Sequence, residues 1–443
     1  MASFESVIPD EPDHRAVYTA PARWGVRISG GALHVEGVPL AAIAAAVGTP
    51  TYVYGAGEIA ARYHALAAAC SAAPTLVCYA VKANSSQAVL RHLARLGAGA
   101  DIVSGGELQR ALVAGVPADR IVFSGVGKLD DEIDAAVSAG VRAINIESAE
   151  ELERVAARAR ALGKPAAIAL RLNPDIDPVT HPYLATGLRE SKFGISIADA
   201  LPIAGRAREL AALRLVGVGC HIGSQITDAA PFLASFERLR GVVQALREAG
   251  APLRQLDLGG GLGIPYAAGD PDLDVAALGA ALTAAVRPLG LDLVLEPGRY
   301  LVGAAGVLLT RVIGRKRGDA RSFVIVDAAM NDLLRPALYD AFHPIVPASL
   351  AAAERPAVRA DIVGPVCECG DFLAKDRLVP WPEPGELMAV LCAGAYGMSM
   401  ASTYNTRPLA AEVLVREGEF AVTRPRKTVA ELIADERVPG WLE

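Results

Sequence analysis

Residues 76–84 read Leu76-Val77-Cys78-Tyr79-Ala80-Val81-Lys82-Ala83-Asn84. The first six residues are apolar or weakly polar, which is typical of a strand buried on both faces. A single lysine, Lys82, stands where this strand ends and polar chain begins. At the mouth of an apolar pocket, desolvation lowers the pKa of a lysine, so that the free amine can attack a carbonyl group and hold it as a Schiff base. A lysine that merely ends a strand and extends into solvent gives the same pattern, so this stretch leaves the role of Lys82 open.

Similar apolar runs recur along the next two hundred residues. The predicted strands are Leu76–Val81, Ala100–Val103, Ile121–Ser124, Ala143–Ile146, Ala167–Leu172, Leu215–His221, Gln255–Leu258 and Leu293–Leu295. Most are followed by a helical pattern, and Ser148 with Glu151 predicts a capping box at one helix start. Eight strand–helix pairs predict an α/β fold, a (β/α)8 TIM-type barrel, although a doubly wound sheet would give a similar alternation.

The segments before and after these eight strand–helix pairs have a different pattern. Residues 1–50 contain two short predicted strands, Val26–Ser29 and Ala32–Val35, and a helix, Ala41–Val47. After Arg299 the predicted strands are Val307–Val312, Phe323–Val326, Asp361–Val363, Leu387–Cys392, Glu412–Val415 and Glu419–Thr423, with loops predicted at 343–357 and 380–384. We therefore expect a barrel over 51–305 and a C-terminal β-rich domain, sandwich-like or barrel-like, over 306–443, to which the N-terminal segment 1–50 contributes.

Composition favours a globular protein that handles small molecules. Hydrophobic residues make up 52% of the 443 residues, and the net charge of −6 argues against a nucleic-acid surface. No apolar run reaches the roughly 18 residues that span a bilayer, and the first fifteen residues lack a signal-peptide pattern, so we expect a cytoplasmic location without membrane association. The six cysteines are scattered, which predicts no disulfide framework, and the Cys367–Cys369 pair lacks the further ligands of a metal site.

Polar residues stand at the ends of several of the predicted barrel strands. They are Asp101, Arg171-Leu172-Asn173, His221-Ile222-Gly223-Ser224-Gln225, Gly259-Gly260-Gly261-Leu262-Gly263 and Glu296-Pro297-Gly298-Arg299. In a barrel the carboxyl ends of all strands meet at one mouth, where active sites lie. Each group also has a structural explanation, since the glycines could form a tight turn, His221 could be a core histidine and Glu296 could pair with Arg299.

Taken together, these groups match one cofactor. A lysine can hold a carbonyl as a Schiff base, and backbone N–H groups of a glycine turn after the seventh strand can bind a phosphate. A carboxylate such as Glu296 can keep a pyridine ring nitrogen protonated, which preserves the ring as an electron sink. These are the three requirements of pyridoxal 5'-phosphate.

The four stretches that begin at Cys78, His221, Gly259 and Glu296 together resemble the fold-type III pyridoxal-phosphate decarboxylases, whose barrel is followed by a β domain. The resemblance extends from about residue 20 to about residue 430. It implies that Lys82 holds the cofactor, that His221 stacks on its ring and that Glu296 faces the ring nitrogen. The remaining cofactor-binding residues that it implies are Ser224, Gly259, Gly260, Gly261, Gly298, Arg299 and Tyr396.

Three further stretches are similar to the substrate-binding and acid-bearing motifs of that family: Leu334–Tyr339, Gly364–Asp371 and Gly394–Gly397. The resemblance implies that a distal substrate carboxylate is bound by Arg299, Arg335 and Tyr339. It implies that Glu368 binds the distal ammonium, that Tyr396 lies between phosphate and substrate, and that Cys367 protonates the carbon that loses CO2. In that family Cys367 and Glu368 serve the neighbouring subunit's site, which implies a homodimer with shared active sites.

Within the family the chain most resembles the enzymes that convert meso-2,6-diaminopimelate to L-lysine and CO2, the last step of lysine biosynthesis. Two arginines suit a substrate with two carboxylates, because the planar guanidinium binds a carboxylate through two hydrogen bonds. The sequence departs from the family pattern at Cys369, where serine is expected, and at Leu129, where threonine or serine is more usual.

Other activities of the same fold stay open at this point. A decarboxylase of the ornithine, arginine or carboxynorspermidine type would share the barrel and Lys82. A non-catalytic pyridoxal-phosphate-binding relative would share them too, although such proteins normally lack the lysine or the cysteine motif. An amino-acid racemase is disfavoured, because an arginine would then be expected to face the ring nitrogen in place of Glu296.

Overall fold

The structure is a computed structural model that describes residues 13–176 and 192–442. The described chain divides into two units. One contains the described residues of 59–264 together with Pro271–Leu301, and the other contains those of 1–58, Pro265–Asp270 and those from 302 onward. We call them the barrel unit and the β unit.

The first elements of the chain are short. They are α1 (Asp13–Thr19), β1 (Arg27–Ser29), β2 (Ala32–Val35), β3 (Val38–Pro39), α2 (Leu40–Val47) and β4 (Thr51–Gly55). β1, β2 and β3 form an antiparallel sheet of their own. The two predicted strands and the predicted helix in this region are confirmed.

The barrel unit is a closed parallel sheet. Its strands are β5 (Thr75–Ala80), β6 (Gly99–Ile102), β7 (Ile121–Phe123), β8 (Ala143–Ile146), β9 (Ala166–Asn173), β11 (Leu213–Gly219), β12 (Gln255–Asp257) and β13 (Asp292–Leu295); β10 (Ile195–Ser196) pairs with the end of β9. β8 pairs with β9 and β13 pairs with β5, so the sheet closes on itself. The predicted (β/α)8 barrel is confirmed, and closure excludes the doubly wound sheet.

A helix follows each barrel strand. The helices of this region are α3 (Ala56–Ala69), α4 (Gln87–Leu96), α5 (Gly105–Ala114), α6 (Asp130–Ala139), α7 (Ala149–Ala161), α8 (Ala200–Glu209), α9 (Ala230–Glu248), α10 (Val275–Val286) and α11 (Arg299–Val302). The predicted capping box at α7 is present in one half: the Ser148 hydroxyl accepts from the Glu151 N–H. The Glu151 carboxylate accepts instead from the Glu147 N–H, which ties the end of β8 to the helix start.

The β unit is built around one long strand, β14 (Gly306–Arg317). The other elements are β15 (Ser322–Val326), α12 (Arg335–Tyr339), β16 (Ile345–Pro347), α13 (Leu350–Ala353), β17 (Ala357–Val363), β18 (Phe372–Pro380), β19 (Leu387–Val390), β20 (Ala411–Arg416), β21 (Glu419–Arg424) and α14 (Val429–Ile433). The main path of the sheet runs β18-β17-β15-β14-β4-β20-β21, and β19 pairs with both β14 and β16.

The fully buried strand β4 is antiparallel to β14 and parallel to β20, so it lies within the sheet of the β unit. For that reason the units divide after Glu58, whereas the sequence places the start of the barrel domain at residue 51. Residues 51–55, which the sequence assigns to the barrel domain, thus supply an interior strand to the sheet of the β unit.

All six strands predicted after Arg299 are present, but the predicted loops are partly wrong. The segment 343–357 contains β16 and α13, and Pro380 ends β18. β18 was not predicted, because Lys375, Asp376 and Arg377 interrupt its apolar pattern. Asp376 adopts a φ of +50°, and the pairing of β17 with β18 shifts register near it, as expected of a bulge.

Candidate active site

Lys82 lies in a tight turn, Val81–Ala83, directly after β5. Its Nζ is 3.1 Å from Oδ2 of Asp101, which stands on the neighbouring parallel strand β6. The Lys82 side chain is 38% exposed, whereas that of Asp101 is 0% exposed. The structure therefore places an accessible amine on top of a buried carboxylate.

Three buried carboxylates lie at or near the carboxyl ends of barrel strands, Asp101 on β6, Asp257 on β12 and Glu296 directly after β13. Burial raises the pKa of Glu296 well above its usual range, and the charges of Asp101 and Asp257 raise it further. Burial also raises the pKa of Asp257 to about 7. Asp101 Oδ1 has no hydrogen-bond partner among the described residues. If all three were ionised, this cluster would hold more negative charge than the Lys82 amine balances, so a protonated ring nitrogen fits it electrostatically.

His221 is held as a neutral ring. The Gly260 N–H donates to His221 Nδ1 over 3.1 Å, so the ring proton of the neutral form resides on Nε2. Burial lowers the pKa of His221 well below its usual range, and the positive charges of Lys82 and Arg171 lower it further. A neutral imidazole suits stacking on an aromatic cofactor, which is the role that the sequence predicts.

The glycine turn after β12 is packed main chain against main chain. A Cβ at Gly260 would lie 2.1 Å from the Glu296 carbonyl oxygen, and one at Gly261, whose φ is +97°, would lie 2.3 Å from the Gly223 carbonyl oxygen. The Glu296 N–H donates to the Gly259 carbonyl over 2.7 Å. No side chain fits at these positions, so the turn is lined by backbone atoms. A backbone cradle of this kind suits phosphate, the role that the sequence predicts for the turn.

Ser224 and Gly298 connect this cradle to the remaining predicted residues. The buried Arg299 donates from Nη2 to Ser224 Oγ over 3.0 Å, which joins the turns after β13 and β11. A Cβ at Gly298 would lie 3.0 Å from the Ala83 Cβ, so this glycine allows the turn after β13 to approach the Lys82 turn. The Ala80 N–H donates to the Pro297 carbonyl over 3.1 Å in the same place.

A second polar network lies at the same ends of β7, β8 and β9, and sequence reasoning missed most of it. Lys128 is buried, and its Nζ donates to the Gly125 carbonyl (2.7 Å), the Asn145 carbonyl (2.8 Å) and Glu151 Oε1 (2.9 Å). Burial lowers the pKa of Lys128. Arg171 donates to Glu147 Oε1 over 2.8 Å. Lys128 and Glu147 follow predicted strands and Arg171 lies near the end of one, and that position is the signal that could have found them.

In the β unit, Arg335 stands at the start of α12, where it is buried. Its Nη1 donates to Nε2 of His343 over 2.8 Å, because the His343 Nδ1–H donates to the Leu391 carbonyl and leaves Nε2 as an acceptor. The guanidinium also lies over the Tyr266 ring, 4.8 Å from its centroid. Tyr339, half-buried, ends the same helix.

The cysteine motif forms an exposed loop between β17 and β18. Asp371 shapes this loop by accepting from the N–H groups of Met330 and Val366, each over 2.7 Å. The Cys367 N–H donates to Asn405 Oδ1 over 2.8 Å. Cys367, Glu368 and Cys369 are all exposed in the chain.

Tyr396 lies in the same unit as this loop and is half-buried at a φ of +57°. The structure thus brings together the predicted site residues of the barrel unit, and it places Arg335, Tyr339, Cys367, Glu368 and Tyr396 in the β unit.

Comparison with known proteins identifies the family. Residues 56–303 match the sequence model of the family described as pyridoxal-dependent decarboxylase, pyridoxal binding domain. A diaminopimelate decarboxylase of Pseudomonas fluorescens is 52% identical over 408 residues, which cover 92% of this chain and 97% of that enzyme. The chain belongs to the diaminopimelate decarboxylase family.

Solved structures of the family share the whole architecture. The diaminopimelate decarboxylase of Helicobacter pylori, complexed with L-lysine, superposes with a TM-score of 0.86 at 39% identity and covers 89% of this chain and 98% of its own. That of M. jannaschii, also with L-lysine, gives 0.88 at 37% identity, covering 94% of this chain and 99% of its own. The predicted family, fold class, enzyme class and pyridoxal-phosphate cofactor are confirmed.

Two further structural findings concern membrane-spanning helices and metal sites. No helix among the described residues is long and apolar enough to cross a membrane. Within residues 13–176 and 192–442, no group of three or more His, Cys, Asp and Glu side chains could hold a metal ion.

Proposed function

We propose that the protein decarboxylates meso-2,6-diaminopimelate to L-lysine and CO2. The observation that carries this proposal is the 52% identity, over 92% of the chain, with a diaminopimelate decarboxylase. The accessible Lys82 amine and the buried Glu296 carboxylate at one barrel mouth support it, because both are needed for pyridoxal-phosphate chemistry.

The barrel unit would hold the cofactor. Lys82 would bind its carbonyl carbon, and the glycine turn Gly259–Gly261 with the Ser224 hydroxyl would bind its phosphate. Within that turn the donor would be the Gly261 N–H, because the N–H groups of Gly259 and Gly260 donate to Asp257 Oδ1 and His221 Nδ1. His221 would stack on the ring, and Gly298, Arg299 and Tyr396 would line the space beside it. When bound, pyridoxal phosphate supplies an electron sink that accepts the electron pair left by the departing CO2.

Glu296 would control the charge of that sink. Its pKa is raised because it is buried among other acids. A cationic ring nitrogen would relieve this repulsion, and the ionised carboxylate would in turn hold the proton on that nitrogen. The protein thereby keeps the cofactor in its reactive charge state while the cofactor carries the bond-breaking step.

The substrate's second end would be recognised by charge. Arg299, Arg335 and Tyr339 would bind the distal carboxylate, Glu368 the distal ammonium, and Tyr396 would lie between phosphate and substrate. Fork-shaped arginines favour a diacid over a substrate with one carboxylate. Cys367 would then donate its thiol proton to the carbon that has lost CO2.

We also infer that the protein is a homodimer in the cytoplasm. The exposure of Cys367 and Glu368 supports a role at a neighbouring subunit's site, where their side chains would be covered. All six cysteines lie within the described residues and none forms a disulfide, which supports a reducing compartment.

The first test is CO2 release by the cofactor-loaded protein from meso-diaminopimelate, with L-ornithine, L-arginine and L-lysine assayed in parallel. We expect release from meso-diaminopimelate alone, with L-lysine as product. Release from ornithine or arginine instead would overturn the substrate assignment, and no release from any of the four would overturn the activity.

Two pairs of variants test the assigned residues. Lys82→Ala should lose both activity and the visible absorbance of covalently bound cofactor, whereas Lys164→Ala, in the exposed loop after α7, should keep both. Cys367→Ala should keep the absorbance and slow turnover, while Cys369→Ala, the neighbouring exposed thiol, should turn over normally. Equal rates for the two cysteine variants would remove Cys367 from the proton-transfer role.

A further inference from the structure

The barrel has a second polar cavity, at the opposite ends of its strands from Lys82. Its volume is about 600 Å³, and it lies against the beginnings of β9, β11, β12 and β13. The charged residues that line it are Arg142, Arg208, Arg214, Arg254, Asp119 and Asp292. Their net charge of +2 makes this cavity attractive to anions, and none of them belongs to the proposed active site.

Two of these arginines have no side-chain partner in the part of the chain that the structure describes. Arg214 and Arg254 are exposed and make no side-chain hydrogen bond or ion pair with any described residue. Their main chains are fixed nonetheless, because Arg214 pairs with Ala167 in the β11–β9 ladder and the Arg254 N–H and carbonyl bond to Val216 and Asp292. Two guanidinium groups on a fixed backbone therefore border the cavity, and no described residue uses their hydrogen-bonding capacity.

Gln255, which lines the cavity, supplies a buried hydrogen-bond donor. Arg142 is fixed by bonds from Nε to Gln255 Oε1 (2.6 Å) and from Nη2 to Asp292 Oδ2 (2.7 Å). Gln255 is only 1% exposed, and its Nε2 amino group has no hydrogen-bond partner among the described residues. Because Arg142 occupies the amide oxygen, only the donor side of Gln255 is left over, and a donor calls for an acceptor.

We propose that this cavity binds a small, multiply charged oxyanion, either a phosphate or a polycarboxylate. Arg214 and Arg254 would form the main contacts, since guanidinium groups bind the oxygens of both anions through paired hydrogen bonds. The inference goes beyond the decarboxylase activity, and no residue is shared between the two sites. A result against this proposal would therefore leave the proposed decarboxylase activity unaffected, and the reverse also holds.

The test is isothermal titration of the cofactor-loaded protein with inorganic phosphate and, in a separate arm, with citrate. Loaded protein is used so that added phosphate does not bind at the cofactor's own cradle. We expect saturable binding of one or both anions with a Kd of about 1 mM or tighter, persisting when KCl holds the ionic strength constant. Absence of saturable binding in both arms would overturn the proposal. So would the disappearance of binding when KCl holds the ionic strength constant.

Variants locate the binding site. Arg214→Ala combined with Arg254→Ala should weaken binding by about tenfold or more, because both main charge-assisted contacts are lost. Arg238→Ala is the matched control: Arg238 is exposed on α9 and has no partner among the described residues. The double variant should fold and release CO2 normally, since neither arginine supports a contact. If the double variant bound the anion as tightly as the Arg238 variant does, the cavity would not be the site.

Discussion

Asp332 is a buried acid of the β unit whose ionisation the fold opposes. Its Oδ2 accepts from the Ala329 N–H over 2.9 Å, while Oδ1 has no hydrogen-bond partner among the described residues. Burial raises the pKa of Asp332 to about 7, and the charge of Asp327 adds to this while that of Arg407 opposes it. At mildly acidic pH the Asp332 carboxyl therefore takes up a proton when the protein folds.

The consequence is a pH-dependent stability with a definite sign. Between about pH 4 and pH 7 the folded state keeps the Asp332 proton and the unfolded state has lost it, so the free energy of unfolding falls as pH rises. Asp332→Asn should remove this loss, which is on the order of 3 kcal/mol between pH 4 and pH 8. Urea denaturation midpoints across this range measure it. Asp319→Asn, exposed in the same unit, is the control, and parallel pH profiles for wild type and Asp332→Asn would contradict the assignment.

The ends of the barrel strands are held to one another by buried polar contacts. Lys128 joins the ends of β7 and β8 to the start of α7, because its one ammonium donates to Gly125, Asn145 and Glu151. A buried charge that loses its partner is costly, since nothing else compensates it in a low-dielectric surrounding.

Replacement of this ammonium should destabilise the barrel. Lys128→Met keeps the length of the side chain but leaves Glu151 buried beside Glu147, and we expect a loss of roughly 3 kcal/mol in the free energy of unfolding. Lys164→Met, whose Nζ bonds only the Ser138 carbonyl at the surface, should change it by about 0.5 kcal/mol or less. Equal denaturation midpoints for the two variants would show that the network does not stabilise the barrel.

The glycine turn between β12 and α10 contacts the backbone of other turns, so a substitution in it is expected to cause a steric clash. Gly260→Ala would place a Cβ 2.1 Å from the Glu296 carbonyl oxygen, and we expect a loss of roughly 3 kcal/mol together with weaker cofactor binding. Gly241→Ala, in the exposed interior of α9 with no atom near its Cβ, should gain about 0.5–1 kcal/mol. Thermal unfolding and cofactor titration of both variants test this, and an unchanged cofactor affinity for Gly260→Ala would separate the turn from the cofactor site.

The elements differ in how far the sequence predicts them. Most residues of the eight barrel strands are buried, so each strand contains an apolar run in the sequence, and the polar residues at its end are candidates for the site. β18 is not predicted from the sequence, because its charged residues lie in a bulged, partly exposed strand. Asp257 and Lys128 could be placed at strand ends, but their partners come from other strands, and no local pattern specifies which strand ends meet.

At the scale of the whole molecule, the cofactor is also a structural ligand. The barrel unit buries Asp101, Asp257 and Glu296 together, and the raised pKa values of the last two measure what their mutual repulsion and burial cost. A ligand that brings a positive ring and covers these acids binds the folded state alone, and it therefore shifts the unfolding equilibrium.

Removal of pyridoxal phosphate should accordingly lower the melting temperature. At a free cofactor concentration about 100 times the Kd, bound cofactor should add about 2.7 kcal/mol to the free energy of unfolding. Lys82→Ala should show a smaller cofactor-dependent shift in Tm because the covalent link is lost, and Lys164→Ala should show the full shift. Scanning calorimetry with and without cofactor measures both, and identical shifts in the two variants would exclude a covalent contribution of Lys82.

The backbone-lined cradle at Gly259–Gly261 also has a genetic consequence. Every missense mutation of a glycine codon adds a side chain, and at Gly260 and Gly261 the nearest obstacle is a carbonyl oxygen of another turn, which has no side chain to shorten in compensation. A compensating second mutation at the contact itself is therefore unavailable. In a saturating screen for growth without supplied lysine, alleles altered at these codons should be recovered only as losses of function, and their revertants should restore glycine itself.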